Sequence, residues 1–397
     1  MTDLYVDELI YLDHAATTPV DPAVVAAMLP YFTERYGNPS SIYRLGQDAR
    51  AALDDARSNI AGVLGCTASE ILITSGATES DNLALRGVVE AWKLSHGPVP
   101  IPHVITTAIE HHAVLRAAQG LERWGVAVTY LPCDSDGMVS VTDVEAAVRP
   151  ETCLISVMYA NNEVGAIQPV EHIGEVAREH AIPFHTDAVQ AAGALPVRVD
   201  DLRADLLSLS AHKFYGPKGI GALYIRKGTP IAFSQQGGGQ EGGRRGGTEN
   251  VPLAIGMAVA LELAEDRRPE FVAHCTVLRD YLWEGIRRVI SGVSLNGPPV
   301  AANRLANNLN LALPSIQGET ILLGLDMEGI AVSAGSACTT GNTEPSHVLR
   351  ALGLSDERCR ASLRFTLGWQ NSMEQIHETI DVLVEIVERV RALAGEA

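Results

Sequence analysis

The chain has 397 residues with 48 acidic side chains against 30 basic ones, a formal net charge of −18. A field of that sign repels nucleic acid and anionic membrane surfaces, so neither is expected as a partner. No apolar run approaches the roughly 18 residues of a membrane span, and Met1-Thr2-Asp3-Leu4 has neither a signal peptide's basic opening nor an Arg-rich transit pattern, which points to a soluble, cytoplasmic protein.

The length implies two domains. Cys66, Cys133, Cys153, Cys275, Cys338 and Cys359 are scattered without a C-x-x-C pair or histidine clusters, indicating neither a disulfide framework nor a metal site.

In chain order, Ala23 to Phe32 reads as a helix, Tyr36 to Ser41 as a loop of turn formers, and Gln47 to Leu64 as a second helix. Glu70 to Gly76 is a strand running into glycine, with a new helix from Ala77. A strand, a Ser-Gly turn and a helix start gather free N–H groups and a positive dipole end, suited to phosphate. Strands at 103–109, 126–132, 152–160 and 182–185 then alternate with helices at 113–124, 141–148 and 170–180. This rhythm predicts a mostly parallel sheet with helices on both faces and a site at the strand C-terminal ends. Polar groups collect there: Glu110-His111-His112, Asn161-Asn162-Glu163 and Thr186 to Gln190.

The run Asp205 to Lys213 ends in two serines, a histidine and a lysine, and reads as a buried strand opening into the site. Of the four lysines, Lys93, Lys218 and Lys227 have solvated contexts, whereas Lys213 follows small and apolar residues. Desolvation favours the neutral amine that forms Schiff bases. The glycine-rich stretch 237–248 cannot pack a core and implies a mobile loop or a close backbone approach. Beyond it come helix Val251 to Ala264, a charged break at 265–269, helix 271–290, strand 304–311, helix 319–327, the segment 333–341, strand 360–367 and helix 373–393. The break sets the expected division: a large domain over 20–265, and a small α+β domain over 1–19 and 266–397 that carries the loop 333–345.

A lysine for an imine, a strand-end aspartate (Asp187) for a protonated ring nitrogen, a histidine (His111) for stacking and an anion cup at Gly76-Ala77-Thr78 are together what pyridoxal phosphate requires. At this point the sequence resembles the cysteine desulfurases, the NifS/IscS-like members of the class V aminotransferases. The motifs run nearly end to end: Tyr11 to Pro19, Thr74 to Asn82, Asn161 to Gly165, His185 to Gln190, Ser210 to Phe214, Gly246 to Asn250, Gly335 to Thr339 and Glu344 to Arg350. The resemblance implies a fold-type I pyridoxal phosphate enzyme with a seven-stranded sheet, working as a homodimer.

By the same resemblance, Lys213 carries the cofactor and shuttles the substrate Cα proton, Asp187 pairs with the pyridine nitrogen, Gln190 bonds the ring oxygen, and His111 stacks and assists proton transfer. Asn161 lines the ring and the substrate. Ala77, Thr78, Ser210 and His212 hold the phosphate, with Thr248 reaching in from the other subunit, and Arg364 clamps the substrate carboxylate. Cys338, set among serines, glycines and threonines, takes sulfur from L-cysteine as a persulfide and leaves alanine. The long stretch around it implies delivery to an iron-sulfur scaffold protein. The chain departs from the pattern at Ser333-Ala334-Gly335, where two serines before the glycine are common, and at Tyr43, where histidine is expected.

The rivals are a selenocysteine lyase or class V aminotransferase on the same fold, and a non-catalytic sulfur-assembly partner. A transaminase has no use for a mobile thiol, and the intact lysine, aspartate, histidine and cysteine speak against a decayed site. An NAD-binding protein is disfavoured because no G-x-G-x-x-G follows the first strand.

Overall fold

The computed structural model describes residues 9–97, 99–233, 235–314, 316–334 and 344–394. After a two-residue strand, β1 (Ile10–Tyr11), come β2 (Ile71–Thr74), β3 (His103–Thr107), β4 (Ala127–Leu131), β5 (Thr152–Ser156), β6 (Phe184–Asp187), β7 (Leu206–Ser210) and β8 (Gly221–Ile225). The last seven form one sheet in the order β2-β8-β7-β6-β5-β3-β4. Neighbours from β7 through β4 run parallel, whereas β8 is antiparallel to both β2 and β7.

Alternation along these strands sends successive side chains to opposite faces. Ile73, Ile105, Ile155 and Leu207 join one core with helices Arg44–Leu64, Val170–Glu179 and Val251–Asp266. Their neighbours Leu72, Val104, Leu154 and Leu206 join another with helices Ala77–His96 and His112–Glu122. Burial on both faces is why these strands read as nearly continuous apolar runs. The strand β8 escapes a reading from sequence because it opens on Gly221 and Ala222 between two glycine turns.

A third apolar cluster lies around β9 (Ser294–Leu295), β10 (Asn308–Ala312), β11 (Ile330–Ala331), β12 (Ser333–Ala334) and β13 (Ser362–Thr366). Four of these form an antiparallel sheet in the order β12-β13-β10-β9, while β11 pairs with β1. Helices Arg268–Val289, Gly318–Met327 and Met373–Ala394 pack on it, and Ile10 and Leu12 join the same cluster from the other end of the chain. The break expected at 265–269 is a single residue, Arg267, between two helices. Pro269 is tolerated because it falls in the first turn of the second helix, where its missing N–H has no partner to lose.

The glycine-rich stretch makes a close approach. A Cβ on Gly246 would come within 2.7 Å of the Gly237 Cα, and the segment folds into a short turn at Gln240–Gly243. Among the described residues no helix is long and apolar enough to cross a membrane.

Candidate active site

At the C-terminal ends of β6 and β7 and the N-terminus of helix Ala77–His96, a cavity of about 670 Å³ opens between the large sheet and β13. One end of it is the turn Ser75-Gly76-Ala77-Thr78 expected to take an anion. Gly76 caps the helix with φ 151°, a backbone that favours glycine, and so leaves the first-turn N–H groups pointing away from any side-chain cap.

Glu79 in that turn accepts from the Ser75 N–H at 2.7 Å and from Arg245 Nε at 2.7 Å. Burial opposes its charge, but Arg245 and Ser75 hold the carboxyl below the ordinary range. His212 hydrogen-bonds Thr17 at 3.1 Å and is pushed down to about 4, by burial first and then by Lys213 and Lys218. It is therefore neutral near pH 7. Lys218, expected in a solvated turn, is exposed yet lines the same cavity.

Lys213 ends the short turn after β7 and donates to the carbonyls of Ala15 and Ala16, the latter at 2.8 Å. The polar segment near the N-terminus thus forms the wall facing the lysine, and Gln190 Nε2 donates to the Ala15 carbonyl at 3.0 Å. Asp187 sits at the tip of β6 and accepts from the Val189 N–H at 2.9 Å. Burial pushes its carboxyl up to about 6, against the pull of Val189 and Lys213.

Behind Asp187 lies a buried layer of residues, within stretches singled out from the sequence, to which sequence reasoning gave no role. Asp81 is raised by burial and by the charge of Asp187. Glu110, bonded by Thr107 Oγ1 at 2.8 Å and by the Met158 N–H at 3.0 Å, is pushed up to about 8 by burial. His185 lies between Ser156 and Ser208, 3.6 Å from Asp81, and burial holds it down at about 3. These residues come from three separate stretches of the chain, so only the fold reveals that they share a face.

His111 caps helix His112–Glu122 and its Nδ1 accepts from the Ala113 N–H at 3.1 Å. Burial, with Lys213 and the neighbouring histidines, holds the ring at about 4, so it is neutral with its proton on Nε2. Arg364 on β13 lines the opposite wall. Asn161 spends its carboxamide on the chain: it donates to the Ile109 carbonyl at 2.9 Å and accepts from the N–H groups of Glu163 and Val164. Asn162, not Asn161, appears on the cavity wall.

Lys213, Asp187, Gln190, His111, Ala77, Thr78, Ser210, His212 and Arg364 are thus brought together on one cavity. Thr248 is exposed on the glycine-rich segment and does not line it. Cys338 lies outside the described residues. Of the other thiols, Cys66, Cys153 and Cys275 are pushed up to about 12 and Cys133 to about 11, chiefly by burial, and Cys359 is also raised. None of these five has the thiolate character of a nucleophile.

The family model described as Aminotransferase class-V matches residues 10–378. The chain is 48% identical over 385 residues to cysteine desulfurase IscS of Dictyoglomus turgidum, covering 97% of this chain and 96% of that protein. It is 49% identical over 388 residues to cysteine desulfurase IscS of Methanosarcina thermophila, covering 98% and 94%. Among solved structures, a NifS-like protein superposes with a TM-score of 0.89 at 38% identity, covering 96% of this chain and 99% of that one. A structure described as SspA in complex with cysteine matches with a TM-score of 0.78 at 39% identity, covering 90% and 99%. With that sheet and site, the chain belongs to the class V aminotransferase family, among its NifS/IscS-like cysteine desulfurases of fold-type I.

Proposed function

We infer that the protein is a pyridoxal phosphate-dependent cysteine desulfurase, converting L-cysteine to L-alanine and passing the sulfur to its own Cys338 as a persulfide. The observation that carries this reading is the single cavity on which Lys213, Asp187, His111 and Arg364 converge.

The residues fit the cofactor. The Gly76 turn and the helix behind it offer N–H donors to a phosphate. Asp187 is a buried carboxyl within the electrostatic reach of Lys213, suited to a protonated ring nitrogen. Bound there, held by Lys213, Asp187 and the Gly76 turn, pyridoxal phosphate would supply an electrophilic carbonyl and an electron-withdrawing ring.

The chain's own groups do the rest. Lys213 holds the cofactor and moves the Cα proton. His111, neutral, offers a face for stacking and a proton on Nε2. Gln190 would bond the ring oxygen, Ala77, Thr78, Ser210 and His212 would hold the phosphate, and Asn161 acts by holding the loop that presents Asn162. Arg364 orients the substrate carboxylate. The Cys338 thiolate attacks the substrate sulfur, an S–S bond forms as the Cβ–S bond breaks with its electron pair left on carbon, and alanine leaves once two protons are delivered, the one given up by Cys338 to Cβ and the one removed by Lys213 back to Cα.

This reading also includes a homodimer in which Thr248 completes the partner's phosphate site, a small domain of residues 1–19 and 266–397 set against a large domain of 20–265, and delivery of the sulfur to an iron-sulfur scaffold protein in the cytoplasm. Support for the domain division is the separate apolar cluster that draws on both ends of the chain.

The test is an absorption spectrum of the purified protein, followed by anaerobic L-cysteine with a reductant and assays of alanine and sulfide. Equal yields of both, lost in Cys338→Ala while the cofactor band is kept, support the reading. A cofactor band without sulfide removes the role of Cys338, and no band with added pyridoxal phosphate removes the enzyme itself.

A further inference from the structure

Arg364 does not meet the cavity as a bare cation. Its Nη2 donates to the Asp13 carboxylate at 2.7 Å and its Nη1 to the Asn162 carbonyl at 3.0 Å, while its Nε has no acceptor among the described residues. The arginine side chain is 4% exposed and that of Asp13 18%, so water screens this pair only on one side. Backbone pairing fixes the geometry: Asp13 bridges Thr366 in the parallel sense, two residues along β13 from Arg364.

A second carboxyl, Glu163, is partly buried and accepts from Ser346 Oγ. Burial pushes it up to about 7, against the pull of Ser346 and Arg364, and among the described residues it is Asp13 that hydrogen-bonds the guanidinium. A ligand carboxylate approaching Arg364 therefore meets a guanidinium whose charge is already compensated once, and meets Asp13 as a like charge.

Resting on the desulfurase reading, we propose that Asp13 is a positioning and specificity-determining residue of the substrate site: its acceptor oxygen fixes the Arg364 guanidinium, and its charge weakens the grip on an amino-acid carboxylate so that product leaves. These two actions have opposite signs on affinity. A side chain that only props up the arginine has the first alone.

The test uses wild type, Asp13→Asn and Asp13→Ala. Cofactor-free protein is titrated calorimetrically with propionate. Cofactor-loaded protein is titrated with L-alanine and L-alaninamide while the cofactor absorbance is followed. Asp13→Asn keeps an acceptor for Nη2 and loses the charge, so propionate and L-alanine bind about five- to tenfold tighter while L-alaninamide is unchanged. Asp13→Ala loses both actions and binds L-alanine more weakly than Asp13→Asn. Should Asp13→Asn lose its fold by circular dichroism, Asp13→Gln, which also has an amide oxygen without charge, carries the same expectation.

Equal or weaker carboxylate binding in the neutral variant overturns the proposal and leaves the desulfurase reading intact if the wild type responds to L-alanine. A loaded wild type that responds to neither amino compound overturns both.

Discussion

Arg57 and Glu241, 184 residues apart, form a two-point buried ion pair with N–O distances of 2.8 and 2.9 Å. Glu241 also accepts from the Ile73 N–H at 3.1 Å, so the glycine-rich segment is fastened to β2, the strand that leads into the anion turn. Glu241 holds a left-handed backbone, φ 49°, which costs a non-glycine residue about 1–2 kcal/mol and persists because the pair fixes the side chain. Glu241→Ala leaves the guanidinium buried without its partner and should lower stability by about 3–5 kcal/mol. Arg57→Met combined with Glu241→Ala should cost less than the sum of the single changes. Thermal midpoints of the four proteins check this, and strict additivity would contradict the coupling.

Gly221 supports the same turn from behind. A Cβ there would come within 2.7 Å of Gly76 Cα and 2.5 Å of the Leu209 carbonyl, backbone atoms that cannot swing aside. Gly221→Ala should therefore push the anion turn outward and weaken the phosphate-bearing cofactor more than pyridoxal, which lacks the phosphate. Parallel absorbance titrations measure the ratio, and an equal loss for the two compounds would argue against a cup shaped by this contact.

Much of this was legible before any coordinates. Strand ends carrying Asp187, His111 and Ser210-His212-Lys213 were readable because parallel strands are apolar until their C-terminal tips, where polarity returns abruptly. The strand β8 was not, since glycine and alanine carry no strand signal and its glycine is present for a contact with Gly76. Nor was the layer of Asp81, Glu110 and His185, three residues whose common face exists only once helix Ala77–His96 lies on the sheet. The pairing of Asp13 with Arg364 spans 351 positions, a distance at which sequence pattern carries no information.

Lys213 has a structural duty separable from the chemical one proposed for it. Its amine donates to the carbonyls of Ala15 and Ala16 and so pins the N-terminal segment against the site. Lys213→Ala should abolish alanine formation, by at least about a thousandfold if the amine is the proton carrier, and also lower the stability of the cofactor-free protein by about 1–3 kcal/mol, because the Ala16 carbonyl loses its donor while that of Ala15 keeps only Gln190. Lys213→Arg restores a donor, so it should recover stability without activity. Matching losses in both properties for both variants would show the chemical role to be no more than a folding defect.

The buried titrating groups fix how the cofactor-free protein responds to pH. Asp187 titrates at about 6, Glu163 at about 7 and Glu110 at about 8 in the folded state, all above their unfolded values. Across each of those windows the folded chain keeps a proton that the unfolded chain has lost, so stability falls as pH rises. The histidines act oppositely. His14, His103, His111 and His212 are held at about 4 and His185 at about 3, so the unfolded chain binds the extra protons and stability rises with pH until the unfolded imidazoles have titrated near 6.5. His112 and His347 are lowered as well, and Asp81 and Asp205 are raised, so the histidines dominate below that point and the raised carboxyls, Glu110 and Glu163 among them, act above it. The thermal midpoint should climb from pH 5, peak near pH 6.5 and decline toward pH 8, with a loss of roughly 2 kcal/mol on the alkaline side. Glu110→Gln retains an acceptor for Thr107 and Met158 while removing the ionisation, and should about halve that decline. A variant whose alkaline limb matches the wild type would place the titrating carboxyl elsewhere.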